Sequence, residues 1–368
     1  MVEELTAMNY YKSKTYIDDL RCAIQHTINI EKLYNSSILI TGASGLIGSF
    51  ITDVLLLCNK EYGANITIYA VGRSIQRLKK RFDFIKNDNL IFVEHDVNSV
   101  PQFDYQIDYI IHAASPAYPA AFNNTPVDTI MSNILGTKYL LDYGRVHNIK
   151  RFLFVSSGEV YGQGDLSLSS FSEDYAGYVD STSARSCYPN AKRAAETLCV
   201  SYTKQYGVDT VIVRPSHTYG PTATQSDNRA NVQFVNRALA GQDIVLNSAG
   251  NQLRSYTYIA DAASAILTVL TVGKSCNAYN IANPDSMTTI AGFAQEVATQ
   301  TGVNVVFSNP DEVAKAEMSP IAKQVLSAAK LEELGWRGQF SLEAGIGNNL
   351  KILFDIEKSW KNARRLQY

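Results

Sequence analysis

The stretch Ile38-Leu39-Ile40-Thr41-Gly42-Ala43-Ser44-Gly45-Leu46-Ile47-Gly48-Ser49 decides how the rest of the chain is read. An apolar run feeds three glycines spaced two residues apart. A second apolar run, from Phe50 to Leu57, carries helical periodicity. Strand, glycine turn and helix in that order make a site for a dinucleotide pyrophosphate. Gly42 permits the tight turn, Gly45 lets the backbone approach phosphate, and Gly48 lets the helix pack closely on the strand. The helix N-terminus adds unpaired N–H groups and the positive end of its dipole. Ser44, Leu46 and Ile47 lie in the same turn and join the candidate cofactor set. The competing reading is a glycine-rich turn that binds nothing; the flanking strand and helix weigh against it.

Composition narrows the class. The 368 residues are 46% apolar and 18% charged, a globular balance with room for one large α/β unit and a smaller lobe. A net charge of −2 gives no reason to expect a nucleic-acid footprint. The five cysteines (Cys22, Cys58, Cys187, Cys199, Cys276) are scattered, odd in number and without metal-ligand spacing. A reduced, cytoplasmic chain with no metal is the expectation. No apolar run reaches bilayer length, and the polar segment Met1 to Tyr16, with Glu3 and Glu4, does not read as a secretory signal.

Before Asn35, the residues Ile17, Leu20, Ile24, Ile28 and Leu33 recur at roughly helical spacing and predict a helical extension packed on the body or on a second subunit. Ile66 to Val71 is the second strand, ending in Gly72-Arg73-Ser74. An acidic residue there would bind the adenosine ribose and repel a 2′-phosphate. Arg73 stands in its place, which suits NADP better than NAD unless Arg73 is only a solvated loop charge. Arg77, Lys79, Lys80 and Arg81 read as the wet face of the next helix. Leu90 to Val93 is a third strand; Asp96 after it faces the adenine amino group, with Val97 over the ring. Tyr109 to Ser115 is a fourth strand and loop, whose small Ala113, Ala114 and Ser115 leave room for the cofactor. His112 reads as a structural hydrogen bonder, and Asn133 on the following helix joins the cofactor set.

Phe152 to Val155 is a fifth strand, and Ser156-Ser157-Gly158-Glu159-Val160-Tyr161-Gly162 leaves its end. Further on, Tyr188 and Lys192 stand four apart and share one helix face. An ammonium beside a phenol favours the phenolate. With a strand-end serine holding the substrate oxygen, the three move a proton while a nicotinamide moves a hydride. Tyr-x-x-x-Lys alone is weak; following a dinucleotide turn and a strand-end serine pair, it is much less open to chance. Thr210 to Arg214 is a sixth strand, ending in Pro215 and Ser216, assigned to cofactor and substrate respectively. Arg229 and Arg254 are either ligands of a substrate pyrophosphate or ordinary surface ion pairs.

Taken together, these motifs resemble the extended short-chain dehydrogenase/reductases, in the NAD(P)-dependent nucleotide-sugar epimerase/dehydratase branch. The resemblance runs from about residue 37 to about 345 and is carried by Thr41 to Gly48, Asp96, His112 to Ser115, Ser156 to Gly162, Tyr188 with Lys192, Arg214-Pro215 and Arg254. It implies an α/β fold: a Rossmann-type, doubly wound parallel sheet with a smaller C-terminal α/β lobe that closes over a nucleotide diphosphate sugar. Boundaries follow as 1–35 for the extension, 36–215 with 244–272 for the dinucleotide domain, and 216–243 with 273–368 for the substrate lobe. The resemblance also implies a homodimer, Tyr188 as base and acid, Lys192 as its partner, and Ser157 on the sugar C4 oxygen.

Within the branch, Ser172 to Tyr175, Arg185 to Tyr188 and Ala114 to Ala117 look most like UDP-glucuronate decarboxylases. Glu159 matches an acidic residue that decarboxylases and 4,6-dehydratases share. Gly158 departs from both: decarboxylases carry serine there and dehydratases a proton-donating aspartate. Arg73 is a second departure from the decarboxylases. Both departures favour NADPH-dependent reduction of a nucleotide 4-keto-6-deoxyhexose. UDP-glucuronate decarboxylation or 4-epimerisation with tightly held NAD is the alternative, and a non-catalytic NAD(P)-binding scaffold is a third reading.

Overall fold

The computed structural model describes residues 9–82, 85, 87–308 and 321–365. The N-terminal residues 1–8 of the expected extension, and 309–320 of the expected lobe, lie outside them. Seven parallel strands form the central sheet: β1 (Ser37–Thr41), β2 (Thr67–Gly72), β3 (Leu90–Glu94), β4 (Tyr109–His112), β5 (Arg151–Val155), β6 (Thr210–Pro215) and a seventh, Asn277–Ile281. From one edge they run Asn277–Ile281, β6, β5, β4, β1, β2, β3. Strand order reverses between β1 and β4, and a crevice opens there at the carboxyl ends.

Residue parity in the strands sorts the core. Ile38, Ile40, Ile68 and Ala70 point to a face covered by α2 (Leu46–Tyr62) and by a helix at Ile259–Val272. Leu39, Val71, Ile110 and Ile212 point to the opposite face, where residues from Pro126–Val146 and Cys187–Tyr206 cover them. In chain order the helices are α1 (Lys14–Gln25), α2, α3 (Ile75–Phe82), α4 (Pro119–Asn124), α5 (Pro126–Val146), α6 (Cys187–Tyr206), α7 (Ala230–Leu239) and α8 (Ile259–Val272).

The N-terminal extension forms α1 and a short turn at Ile30–Leu33, and it packs on the body of its own chain. Tyr16, Leu20, Ile24 and Leu33 are buried, laying a further layer over α2 and α8. Its polar residues are tied in as well. Tyr16 donates to Asp53 of α2 at 2.5 Å, and Tyr258 and Asn348 donate to Asp19 at 2.5 and 2.7 Å. Arg81 departs from the sequence reading: it does not face water but ion-pairs with the fully buried Asp53. A carboxylate placed in the core needs a cation, and α3 carries it there.

The lobe also departs from the expected boundaries. Asn277–Ile281, placed after Gly273 in the substrate lobe, pairs in parallel with β6 and completes the central sheet. Its Tyr279 and Ile281 are buried, as a strand reached through a helix crossover requires. Conversely, of the segment 244–272 only α8 returns to the body. Strand β8 (Ile244–Leu246) pairs with Val305–Phe307 in a separate two-stranded sheet. Strand β9 (Leu253–Tyr258) joins β7 (His217–Tyr219), Met287–Thr289 and Lys323–Gln324 in a four-stranded sheet. Short strands of similar composition do not announce which sheet they join; only pairing partners distant in sequence settle it. Among the described residues, no helix is long and apolar enough to cross a membrane, and no group of three or more His, Cys, Asp or Glu could hold a metal.

Candidate active site

One cleft of about 960 Å³ runs along the carboxyl ends of the sheet. At one end its floor is the glycine turn. Gly42 has a φ of +68°, and a Cβ built there would lie 2.9 Å from the Ala113 carbonyl oxygen. A Cβ on Gly48 would stand 2.4 Å from the Gly42 oxygen. The turn and the first turn of α2 are thus packed backbone to backbone, leaving a cradle for phosphate oxygens over the helix N-terminus. Ser44, Gly45, Leu46, Ile47, Asp96, Val97, Ala113, Ala114 and Ser115 line the same end. This donor set fits a dinucleotide.

At the end of β2, Arg73 and Ser74 line the cleft, and so does Arg77, which the sequence placed on a wet helix face. Both arginines are exposed, and the Ser74 hydroxyl accepts from the Arg77 N–H at 3.3 Å. No carboxylate stands at this strand end.

The other end gathers Ser157, Glu159, Tyr188, Lys192, Pro215, Ser216 and Arg229. Segments more than a hundred residues apart from the glycine turn meet it in one pocket. Tyr188 stacks on Phe122 at 4.6 Å between centroids and is hydrogen-bonded to Ser157. Burial pushes its phenol above the ordinary range and the Glu159 carboxylate adds to this; the Ser157 bond and the Arg229 and Arg185 charges pull the other way. The sequence expectation was a phenol lowered by Lys192. Here the Lys192 ammonium donates to the Val155 carbonyl at 2.8 Å and lies 5.7 Å from the centre of the Tyr188 ring. Burial brings Lys192 itself down to about 7. Burial therefore outweighs the pairing in this arrangement. Glu159 is clamped by both Arg185 guanidinium nitrogens at 3.1 Å each.

His112 is structural, as read. Its Nδ1 bonds the Thr41 hydroxyl at 2.7 Å, and burial, then the Lys192 charge, hold it down to about 3. Asn133 and Arg254 do not line the cleft. Asn133 is fully buried and turns back on its own helix, donating to the Thr129 carbonyl at 2.7 Å. Arg254 is 2% exposed and donates to the carbonyls of Leu253 and Ile321. Arg229 reaches the cleft but is paired with Asp227 at 2.6 Å, the ion-pair alternative of the two. Sequence reasoning missed Gln324 and His217, which also line the wall. His217 follows the quoted strand-end proline by two residues; nothing near Gln324 marks it.

A family model described as the NAD dependent epimerase/dehydratase family matches residues 38–282. The chain belongs to that family. UDP-glucuronic acid decarboxylase 6 of Arabidopsis thaliana is 33% identical over 315 residues, 85% of this chain and 87% of that one. UDP-glucuronic acid decarboxylase 1 of Xenopus tropicalis is 31% identical over 85% of this chain and 71% of its own. The fold is that of the UDP-glucuronic acid 4-epimerase from Bacillus cereus, solved with UDP-glucuronic acid and NAD. That likeness has a TM-score of 0.73 at 21% identity, over 87% of this chain and 99% of the other. The protein is thus an NAD(P)-dependent enzyme of the nucleotide-sugar epimerase, dehydratase and decarboxylase group.

Proposed function

We propose that this enzyme decarboxylates UDP-glucuronate while holding its nicotinamide dinucleotide throughout the cycle. The observation that carries the reading is the likeness to UDP-glucuronic acid decarboxylases over 315 residues. The site's chemistry agrees with it. The bound nicotinamide would supply the hydride acceptor and, at the end, the donor. Tyr188 takes the C4 hydroxyl proton as the C4 hydride leaves, and Ser157 holds the oxygen. Once C4 is a ketone, the C6 carboxylate belongs to a β-keto acid. The C5–C6 bond breaks, its electron pair flows to the C4 oxygen, and the Tyr188 and Ser157 hydroxyls stabilise the enolate. Carbon dioxide departs, C5 takes a proton from water, and Tyr188 returns its proton to the C4 oxygen as the C4 alcohol is restored. No water is eliminated, so no acid is needed at position 158, where Gly158 supplies none. Lys192, which burial brings down to about 7, is held near Tyr188 by its bond to the Val155 carbonyl, and the Arg185 clamp fixes Glu159.

The ends of β2 and α3 support a second reading. Arg73 and Arg77 offer two guanidinium forks where a 2′-phosphate would sit, which favours NADPH and a net 4-ketoreductase. One comparison separates the two. Incubated with UDP-glucuronate and no added cofactor, the protein is expected to release carbon dioxide and a UDP-pentose, and denaturation is expected to free NAD. Oxidation of added NADPH by a dTDP-4-keto-6-deoxyhexose, without carbon dioxide from UDP-glucuronate, would install the reductase instead. A homodimer through α5 and α6 belongs to the same proposal. Val127, Met131 and Val200 are exposed apolar residues on those helices, and sedimentation as a monomer would remove that part of the proposal.

A further inference from the structure

Arg185 stands outside the cleft that gathers Tyr188 and Glu159, yet it touches what holds both. It lies in the turn Ala184–Ser186 just ahead of α6. There it lines a second, smaller cavity of about 260 Å³ with Tyr178, Ser183 and Pro189. Glu159 lines both cavities and so stands between them.

Contacts lead inward from Arg185 in two directions. Its guanidinium donates to each oxygen of the Glu159 carboxylate at 3.1 Å. The same guanidinium lies over the Phe122 ring, 4.6 Å from its centre. Phe122, 2% exposed on α4, in turn stacks on Tyr188 with the ring centroids 4.6 Å apart and the planes at 23°. Guanidinium, phenyl and phenol thus form one column. A planar fork grips a carboxylate with its edge while its face covers a ring, which a lysine ammonium cannot do.

The charge matters as well as the stack. The charged groups that face the Tyr188 phenol come from separate segments: Glu159 beyond the end of β5, Arg185 ahead of α6, Lys192 on α6 and Arg229 at the start of α7. Arg229 is tied to Asp227, and Lys192 to the Val155 carbonyl. Glu159 is the anion among them and opposes ionisation of the phenol. Arg185 offsets that anion where it stands.

We propose that Arg185 is a positioning residue for the proton transfer: its fork compensates the Glu159 carboxylate beside the phenol, and its face, through Phe122, fixes the plane of the Tyr188 ring. The inference rests on the reading of Tyr188 as the base that takes the sugar hydroxyl proton. Losing Arg185 bares Glu159 and removes a cation, and both changes make the phenol harder to ionise. The loss is therefore largest at low pH and is recovered as pH rises.

The test uses the full chain loaded with NAD, with turnover of UDP-glucuronate followed as carbon dioxide released. Arg185→Met keeps an unbranched stem over Phe122 and drops the charge. It is expected to lower kcat by about tenfold at neutral pH, the equivalent of an upward shift of about one pH unit, with the gap to the wild type closing at high pH. KM for UDP-glucuronate and the NAD content stay unchanged. Arg185→Ala opens position 185 onto the side cavity. Millimolar guanidinium then restores part of the rate, and tetramethylammonium, a charge without a fork, does not. Arg185→Lys carries the test if the other variants fail to fold: it should keep the wild-type pH dependence with a lower plateau, and a wild-type plateau overturns the inference. A loss of equal size at every pH with no response to guanidinium, or a raised KM with unchanged kcat, overturns the positioning role alone. No carbon dioxide from the wild-type chain overturns the decarboxylase reading, and the inference falls with it.

Discussion

The two ends of the cleft are built from different materials. The dinucleotide end is backbone: Gly42 and Gly48 press main chain against main chain, and a methyl group on Gly48 would sit 2.4 Å from a carbonyl oxygen. The sugar end is side chains: Tyr188 from α6, Ser157 and Glu159 from a strand end, Gln324 from a short strand of the lobe. There even a glycine has give. A Cβ at Gly158 would press most closely on the movable end of Leu326, at 3.1 Å, with the Pro215 carbonyl and the Gln324 side chain at ordinary contact distances of 3.4 and 3.5 Å. One end holds a constant ligand with geometry that admits no substitute. The other can be re-equipped residue by residue, which is how one family serves epimerisation, dehydration and decarboxylation.

Substitutions can break or sharpen this contrast. The largest effect is expected from Tyr188→Phe: turnover should fall by about a thousandfold with cofactor affinity nearly intact, because only the proton-transfer oxygen is lost. Near-normal steady-state rates would remove Tyr188 from the chemistry. Next comes Gly48→Val, which should weaken dinucleotide binding by more than about 100-fold, since the added carbons strike backbone that cannot yield. Fluorescence titration that found wild-type affinity would show that the cradle is softer than its packing suggests. Arg73→Ala should weaken NADP by about tenfold and NAD hardly at all; equal losses would mean that Arg73 never meets a 2′-phosphate. The smallest effect tests the body both ends share. Burial raises Asp19 to about 7. Between about pH 4 and pH 7 the folded chain holds this proton more readily than the unfolded chain, so the stability it contributes is present below about pH 4 and lost as pH rises through 7. Asp19→Asn should melt with the wild type near pH 4 and gain on the order of 4 kcal/mol over it at pH 8. Parallel melting curves across that range would place the titration elsewhere.

The same contrast explains what could be read from the chain beforehand. Gly42 to Gly48, Asp96 and Ala113 to Ser115 sit next to the strands that present them, so local pattern located them on the cleft. Tyr188, Lys192 and Ser157 were reachable because spacing and order within the chain carry their chemistry. Arg254 and Asn133 were not: whether a polar side chain faces the cleft or bonds a neighbouring carbonyl depends on packing that no short stretch encodes. Gln324 arrives through a two-residue strand paired with β9, a contact 70 residues back in the chain, and left no pattern to find. Arg81 misled for a related reason. Its helix looks amphipathic and wet until Asp53, 28 residues earlier, is seen to need a counter-charge.

Asp53 has a consequence for anyone who would trim or transplant this fold. It sits midway along the helix whose first turn cradles the phosphates, and it is fully enclosed. Tyr16 and Tyr11 both donate to it, and both belong to the segment ahead of the family-matched span, which begins at residue 38. A chimera cut at that boundary would leave a sealed-in anion with Arg81 alone for company. The first turns of this polypeptide must therefore travel with the nucleotide fold, because it is not a detachable module.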